Sequence, residues 1–152
     1  MTRLMTWTLA GGLAVMLATP GLAQHGHGDP DPDAMRATAE RLALSEVRIH
    51  PQDEGPDLSG RLPGGAWIEL DFHRDGTLED LQAEEDRLAS IAEVAAVLPE
   101  PLLAGDRFPR DARFKRIELD DDGFELEGRD AEGRWFKAEY DRDGRLEEWE
   151  AD

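Results

Sequence analysis

Cysteine is absent from the 152 residues, lysine occurs only at Lys115 and Lys137, and beyond Ala23 no apolar run is long enough to cross a bilayer. The first absence excludes disulfides, thiolate metal sites, cysteine nucleophiles and a lipid-bearing N-terminal cysteine. The shortage of basic residues excludes recognition of nucleic acid through phosphate neutralisation: 17 Lys plus Arg stand against 35 Asp plus Glu, a formal charge of −18. Without a later apolar run no membrane anchor is expected, and anionic lipid would repel so acidic a surface. The remaining 39% apolar residues suffice for a modest core in one compact domain or two small ones.

The first residues read as an address. Arg3 supplies a positive charge, an apolar run extends from Leu4 to Ala18, Pro20 breaks it, and Gly21-Leu22-Ala23 offers the small residues that a signal peptidase reads. The pattern predicts a signal peptide over 1–23 and a periplasmic or secreted product. A retained anchor is the other reading, but the run is shorter than the roughly 20 residues a spanning helix needs. Gln24 to Asp33, QHGHGDPDPD, propagates neither helix nor strand and reads as a disordered tether. Within it His25 and His27 are the softer metal-ligand candidates. Cleavage after Gln24 would leave His25 as the amino terminus, able to chelate copper or zinc.

Shifting the sequence by 68 positions aligns Val47–Gln82 with Lys115–Glu150 without a gap, and 14 of the 36 pairs are identical. They include Arg48/Arg116, Gly60/Gly128, Arg61/Arg129, Gly65/Gly133 and Trp67/Trp135, and the tripeptides Arg74-Asp75-Gly76 and Arg142-Asp143-Gly144. Self-similarity at one fixed offset marks tandem structural units. In each copy apolar residues alternate with polar ones, Ile68, Leu70 and Phe72 in the first and Phe136, Ala138 and Tyr140 in the second. Asp-Gly then supplies a tight turn, and the strands Thr77–Leu81 and Arg145–Trp149 return. Stretches around Arg48, Leu58, Arg116 and Leu126 supply one or two further strands per copy.

A helix is predicted ahead of each meander. Asp31-Pro32-Asp33 reads as an N-cap with proline at the first position, followed by Met35, Ala39 and Leu42 on one face. Leu88, Ile91, Ala95 and Leu98 carry the second helix until Pro99 and Pro101 stop it, and Leu102–Ala112 reads as a loop. The sequence therefore predicts an α+β fold of two tandem repeats, 34–82 and 83–152, each one helix followed by a three- to four-stranded antiparallel meander. One helix covers one sheet face, so the side bearing Trp67, Glu69 and Asp71 is expected to stay open.

The string Gly-Arg-Trp-Phe-Lys-Ala-Glu-Tyr-Asp-Arg-Asp-Gly-Arg-Leu-Glu at 133–147, its counterpart Gly65–Glu79 and the preceding helices resemble the PepSY domain and the PepSY-like relatives of the beta-lactamase-inhibitor-protein fold. The resemblance covers most of the chain after the tether. It implies a small exported module that binds or inhibits another protein, often a peptidase, and it brings no catalytic residues.

Chemistry of other kinds finds little support in the residues. Beyond the tether only His50 and His73 could act as bases, and Ser45, Ser59 and Ser90 lack a glycine elbow. Carboxylate pairs for acid–base work are conceivable anywhere among 35 acids, so their abundance discriminates nothing. Glu139, Asp141, Asp143, Gly144, Leu146 and Glu150 match the spacing of a calcium loop, and Asp71, His73, Asp75, Gly76, Leu78 and Gln82 match it more poorly. Such a loop needs helices on both sides, where this sequence alternates as strand. The remaining signal is aromatic. Trp67, Glu69, Asp71, Trp135, Lys137, Glu139 and Trp149 form the candidate partner-binding set, with tryptophan anchors inside an acidic rim that favours a basic protein or peptide. The expected protein is non-enzymatic and needs no cofactor.

Overall fold

Period-two alternation passes directly into strand. In β3 (Trp67–Phe72) Ile68, Leu70 and Phe72 are buried while Trp67, Glu69 and Asp71 are half-buried; β8 (Trp135–Asp141) repeats this with Phe136, Ala138 and Tyr140 inside. The computed structural model describes residues 30–50, 56–84 and 87–152. The predicted signal peptide, His25 and His27, and the tether up to Asp29 lie outside the described residues. The other strands are β1 (Ser45–Ile49), β2 (Leu58–Arg61), β4 (Leu78–Ala83), β5 (Ala89–Ser90), β6 (Arg113–Leu119), β7 (Gly123–Arg129) and β9 (Leu146–Ala151). All nine belong to one antiparallel sheet in the order β1-β2-β3-β4-β6-β7-β8-β9, with the two-residue β5 also paired to β6.

The 68-residue shift holds strand by strand. Leu58↔Leu70 and Arg61↔Trp67 in β2–β3 become Leu126↔Ala138 and Arg129↔Trp135 in β7–β8. Leu70↔Leu81 in β3–β4 becomes Ala138↔Trp149 in β8–β9, and a bulge falls at the same place in both hairpins. The loops of these four hairpins share one bonding pattern: the Leu62, His73, Asp130 and Asp141 N–H groups donate to the carbonyls of Ala66, Thr77, Arg134 and Arg145. The turn differs in detail from the primed two-residue type that Asp-Gly suggests. Only the glycine takes positive φ, at 83° in Gly76 and 79° in Gly144, so a three-residue loop ends in a left-handed residue.

The expectation of an α+β fold built from two helix-plus-meander repeats is corrected by the structure, which is mainly β. Among the described residues, helix is confined to α1 (Pro32–Arg41), α2 (Ile91–Val94), a 3-10 turn at Ala95–Val97 and α3 (Glu100–Ala104). Asp31 caps α1 through its side chain and Pro32 opens it, so this helix starts inside the stretch assigned to the tether. The second predicted helix is broken up. Ala89 and Ser90 pair with Phe114 and Arg113, which withdraws them from the helix, and the residues after Val94 tighten into the 3-10 turn before Pro99. Part of the predicted Leu102–Ala112 loop is instead α3.

Met35 and Leu42 around α1, Ile91, Val94 and Leu98, and Leu102 of α3 press onto the buried side of the sheet. This layer closes the core against Leu58, Ile68, Leu70, Leu81, Phe114, Ile117, Leu126 and Phe136, all fully buried. Burial of that apolar surface, at about 25 cal/mol per Å2, is the main term holding sheet and helices together. Glycine is required where hairpin tips meet helices: a Cβ on Gly76 would stand 2.7 Å from the Ala34 Cβ, and one on Gly144 would run into the Pro101 carbonyl.

Candidate functional site

The face turned away from the helices carries two rows of polar side chains that register alone aligns. Glu69, Gln82, Arg116, Glu127, Lys137 and Glu150 are successive partners in one row from β3 to β9. Asp71, Asp80, Glu118, Glu125, Glu139 and Glu148 form the next, entirely acidic row. Like charges placed opposite one another across strands destabilise a sheet. Two cations in the neighbouring row offset this. Arg116 bonds Asp80 at 2.6 Å and also Glu118, while Lys137 reaches Glu125 at 3.0 Å and Glu139 at 3.1 Å.

The titration behaviour follows from these contacts. Burial pushes the Asp80 carboxyl above its ordinary value, with Arg116 pulling the other way, and burial raises Glu118 likewise. The Glu125 and Glu139 carboxylates hold the Lys137 ammonium well above the ordinary lysine range. Asp80 and Glu118 are thus the adjacent raised carboxyls that acid–base chemistry would call for. Both, however, are arms of the Arg116 ion pair at the junction of β4 and β6.

Trp67 and Trp135 stand at the end of this face, half-buried in equivalent positions and roughly 20 Å apart by the spacing of the intervening strands. Each ring is flanked by cations. Arg48 and Arg61 lie 5.2 and 5.6 Å from the Trp67 centroid, and Lys115 and Arg129 lie 5.8 and 5.4 Å from that of Trp135. Arg61 and Arg129 are fixed by equivalent bonds, donating to the Gly65 carbonyl at 3.0 Å and the Gly133 carbonyl at 2.7 Å. Beside Trp67 is a hollow of about 650 Å3 lined by Arg48, Arg61 and Arg87 and by Glu46, Glu69 and Glu84. Beside Trp135 a hollow of about 600 Å3 is walled by Glu127, Lys137, Glu150 and Asp152.

The structure therefore brings Trp67, Glu69, Asp71, Trp135, Lys137 and Glu139 onto one face. Trp149 departs from the set. It pairs with buried Ala138, and its ring lies flat on Phe136, centroids 4.9 Å apart, with the Arg107 guanidinium 5.2 Å over it. Trp149 thus belongs to the helix side of the last strand and borders the second hollow only from the sheet's edge. Sequence reasoning missed the arginines: Arg48, Arg61 and Arg129 were visible as repeated identities, but their stacking on tryptophan follows from cross-strand register. The calcium-loop spacing is occupied by a hairpin, in which Asp141 and Asp143 bond Arg145 at 3.2 and 2.8 Å. Among the described residues no group of three or more His, Asp or Glu is disposed to hold a metal ion, and no helix is long and apolar enough to cross a membrane.

Comparison with known proteins finds likeness among solved structures and none by sequence. No protein-family model matches the chain, and no curated protein matches it by sequence. A crystal structure from Bacteroides thetaiotaomicron, described as "a putative calcium-regulated periplasmic protein", is similar at a TM-score of 0.47 and 13% identity, covering 78% of this chain and 89% of that one.

Proposed function

We propose that this chain is an exported, non-enzymatic PepSY-like protein that binds a protein or peptide through its open sheet face, with Trp67 and Trp135 as anchors. The observation that carries this reading is the matched placement of the two rings. Both are half-buried on the face that no helix covers among the described residues, each beside a hollow of about 600–650 Å3. Half-buried tryptophan next to a concave surface is the side-chain type most enriched at interface centres. The acidic row on the same face supports a partner of positive charge, and association should weaken as salt screens that attraction. The signal-peptide pattern of residues 1–23 supports delivery to the periplasm or beyond.

The test is capture from periplasmic extract at low and high salt, followed by affinity measurement with the identified partner. Trp67→Ala and Trp135→Ala should each weaken binding by about 10- to 100-fold. Binding unchanged in the double variant would refute the reading.

A further inference from the structure

From the internal seam between β4 and β6 we infer that the chain associates head to tail with copies of itself, the outer edge of β9 pairing with the outer edge of β1 of the next copy. This concerns the sheet's edges and does not depend on what the open face binds. Among the described residues the sheet ends at β1 on one side and β9 on the other. By the 68-residue shift β9 is the counterpart of β4, and β1 of β6, so the two outer edges repeat the two strands that already pair inside the molecule.

The internal seam supplies the template. There Asp80 faces Glu118, Leu81 faces Ile117 and Gln82 faces Arg116, and Arg116 reaches diagonally to Asp80. Moved by 68 residues, this becomes Glu148 opposite His50, Trp149 opposite Ile49 and Glu150 opposite Arg48, with an Arg48–Glu148 diagonal pair. Backbone polarity fits this register. The Asp152 N–H donates to the Trp135 carbonyl and the His50 N–H to the Asp57 carbonyl, so both even-numbered sets face inward. Alternation then turns the N–H and C=O of Trp149 and of Ile49 outward, as the pairing requires. The side chains fit as well. Leu81 and Ile117 are fully buried in the internal seam, whereas Trp149 and Ile49 are only partly covered at the two edges.

Charge selects this pairing over its rivals. A β9–β9 contact would bring Glu147, Glu148 and Glu150 against themselves, while β1 presents Arg48. A contact between two different edges is heterologous and propagates instead of closing at a dimer. Three facing residues per strand make it short, so association is weak and concentration-dependent.

Sedimentation equilibrium of the purified chain between about 10 μM and 1 mM tests this, at about 0.15 M salt, where a Debye length of about 8 Å screens the overall charge but not contact pairs. The expected result is a weight-average mass that climbs with concentration past that of a dimer. Arg48→Glu and Glu148→Arg should each lower the association constant about tenfold or more. An equimolar mixture of the two variants should regain it, because each reversed edge then meets a complementary one. Unfolding midpoints of both variants are measured in parallel, and the mixing result holds whatever small stability change they show. A monomer throughout the range, a mass that stops at dimer, or a mixture no better than its components would overturn the inference.

Discussion

Removing Arg116 tests the reasoning about the sheet's centre most directly. Its guanidinium lies 2.6 Å from an Asp80 carboxylate that is 7% exposed, at the only strand pair joining the two meanders among the described residues. Breaking a fully buried pair by deleting one partner costs about 3–5 kcal/mol, whereas an exposed pair is worth under about 1 kcal/mol. The Arg116 side chain is 46% exposed, so solvent screens the contact and the cost of Arg116→Met should fall between, at about 1.5–3 kcal/mol. That corresponds to a melting temperature lowered by about 6–12 °C. The loss must depend on pH in a defined sense. Asp80 already has a raised pKa, and losing Arg116 raises it further. The penalty is therefore fully present near neutrality and shrinks as the pH falls toward the ordinary Asp value, because the folded variant takes up the proton first. Urea unfolding followed by tryptophan fluorescence at pH 7 and about pH 4.5, combined with Asp80→Asn in a double-mutant cycle, measures both effects. A coupling energy under about 0.3 kcal/mol, or a loss independent of pH, would refute the argument.

Three further outcomes follow from the same geometry. Gly144→Ala should cost about 2–4 kcal/mol in chemical denaturation, because a positive φ of 79° and a collision with the Pro101 carbonyl add together. Gly133→Ala, at φ 81° with nothing within 4 Å of the added carbon, should cost only about 1 kcal/mol; equal losses would show that the helix seat is irrelevant. Phe136→Ala should cost about 3–5 kcal/mol and shift Trp149 emission to the red, since Phe136 is fully buried and carries the Trp149 ring. Finally, thermal stability should rise as the pH falls from neutrality toward the ordinary carboxylate range of about 4 to 4.5, and fall below it. Asp80 and Glu118 have raised values, so in the upper window the folded state binds more protons than the unfolded chain. Asp130 and Asp141, lowered by bonds from Arg134 and Arg145, contribute stability that is lost as the pH falls through the lower window. A melting temperature that only falls on acidification from neutrality, with no maximum above the ordinary carboxylate range, would contradict this.

Strand identity and the facing of each side chain were determined by the sequence, because alternation in Trp67–Phe72 and Trp135–Tyr140 is a local property of backbone geometry. The 68-residue repeat likewise determined that the Arg61–Trp67 and Arg129–Trp135 pairings would match. Helix content was not legible in the same way. The apolar spacing from Leu88 to Leu98 satisfies a helix, but Ala89 and Ser90 find hydrogen-bond partners on β6, and only the folded chain brings that strand within reach. The joining of β4 to β6 was equally hidden, since nothing in either strand names its neighbour. That single long-range pairing makes the two meanders one mainly β sheet, lines up the acidic row, and calls Arg116 to its place. Trp149 shows the same limit. Its identity marked it as an anchor, while its position opposite Ala138 turned the ring toward Phe136 and away from the face that carries Trp67 and Trp135. Local periodicity decides which way each side chain points along its own strand, and only packing decides what it meets there.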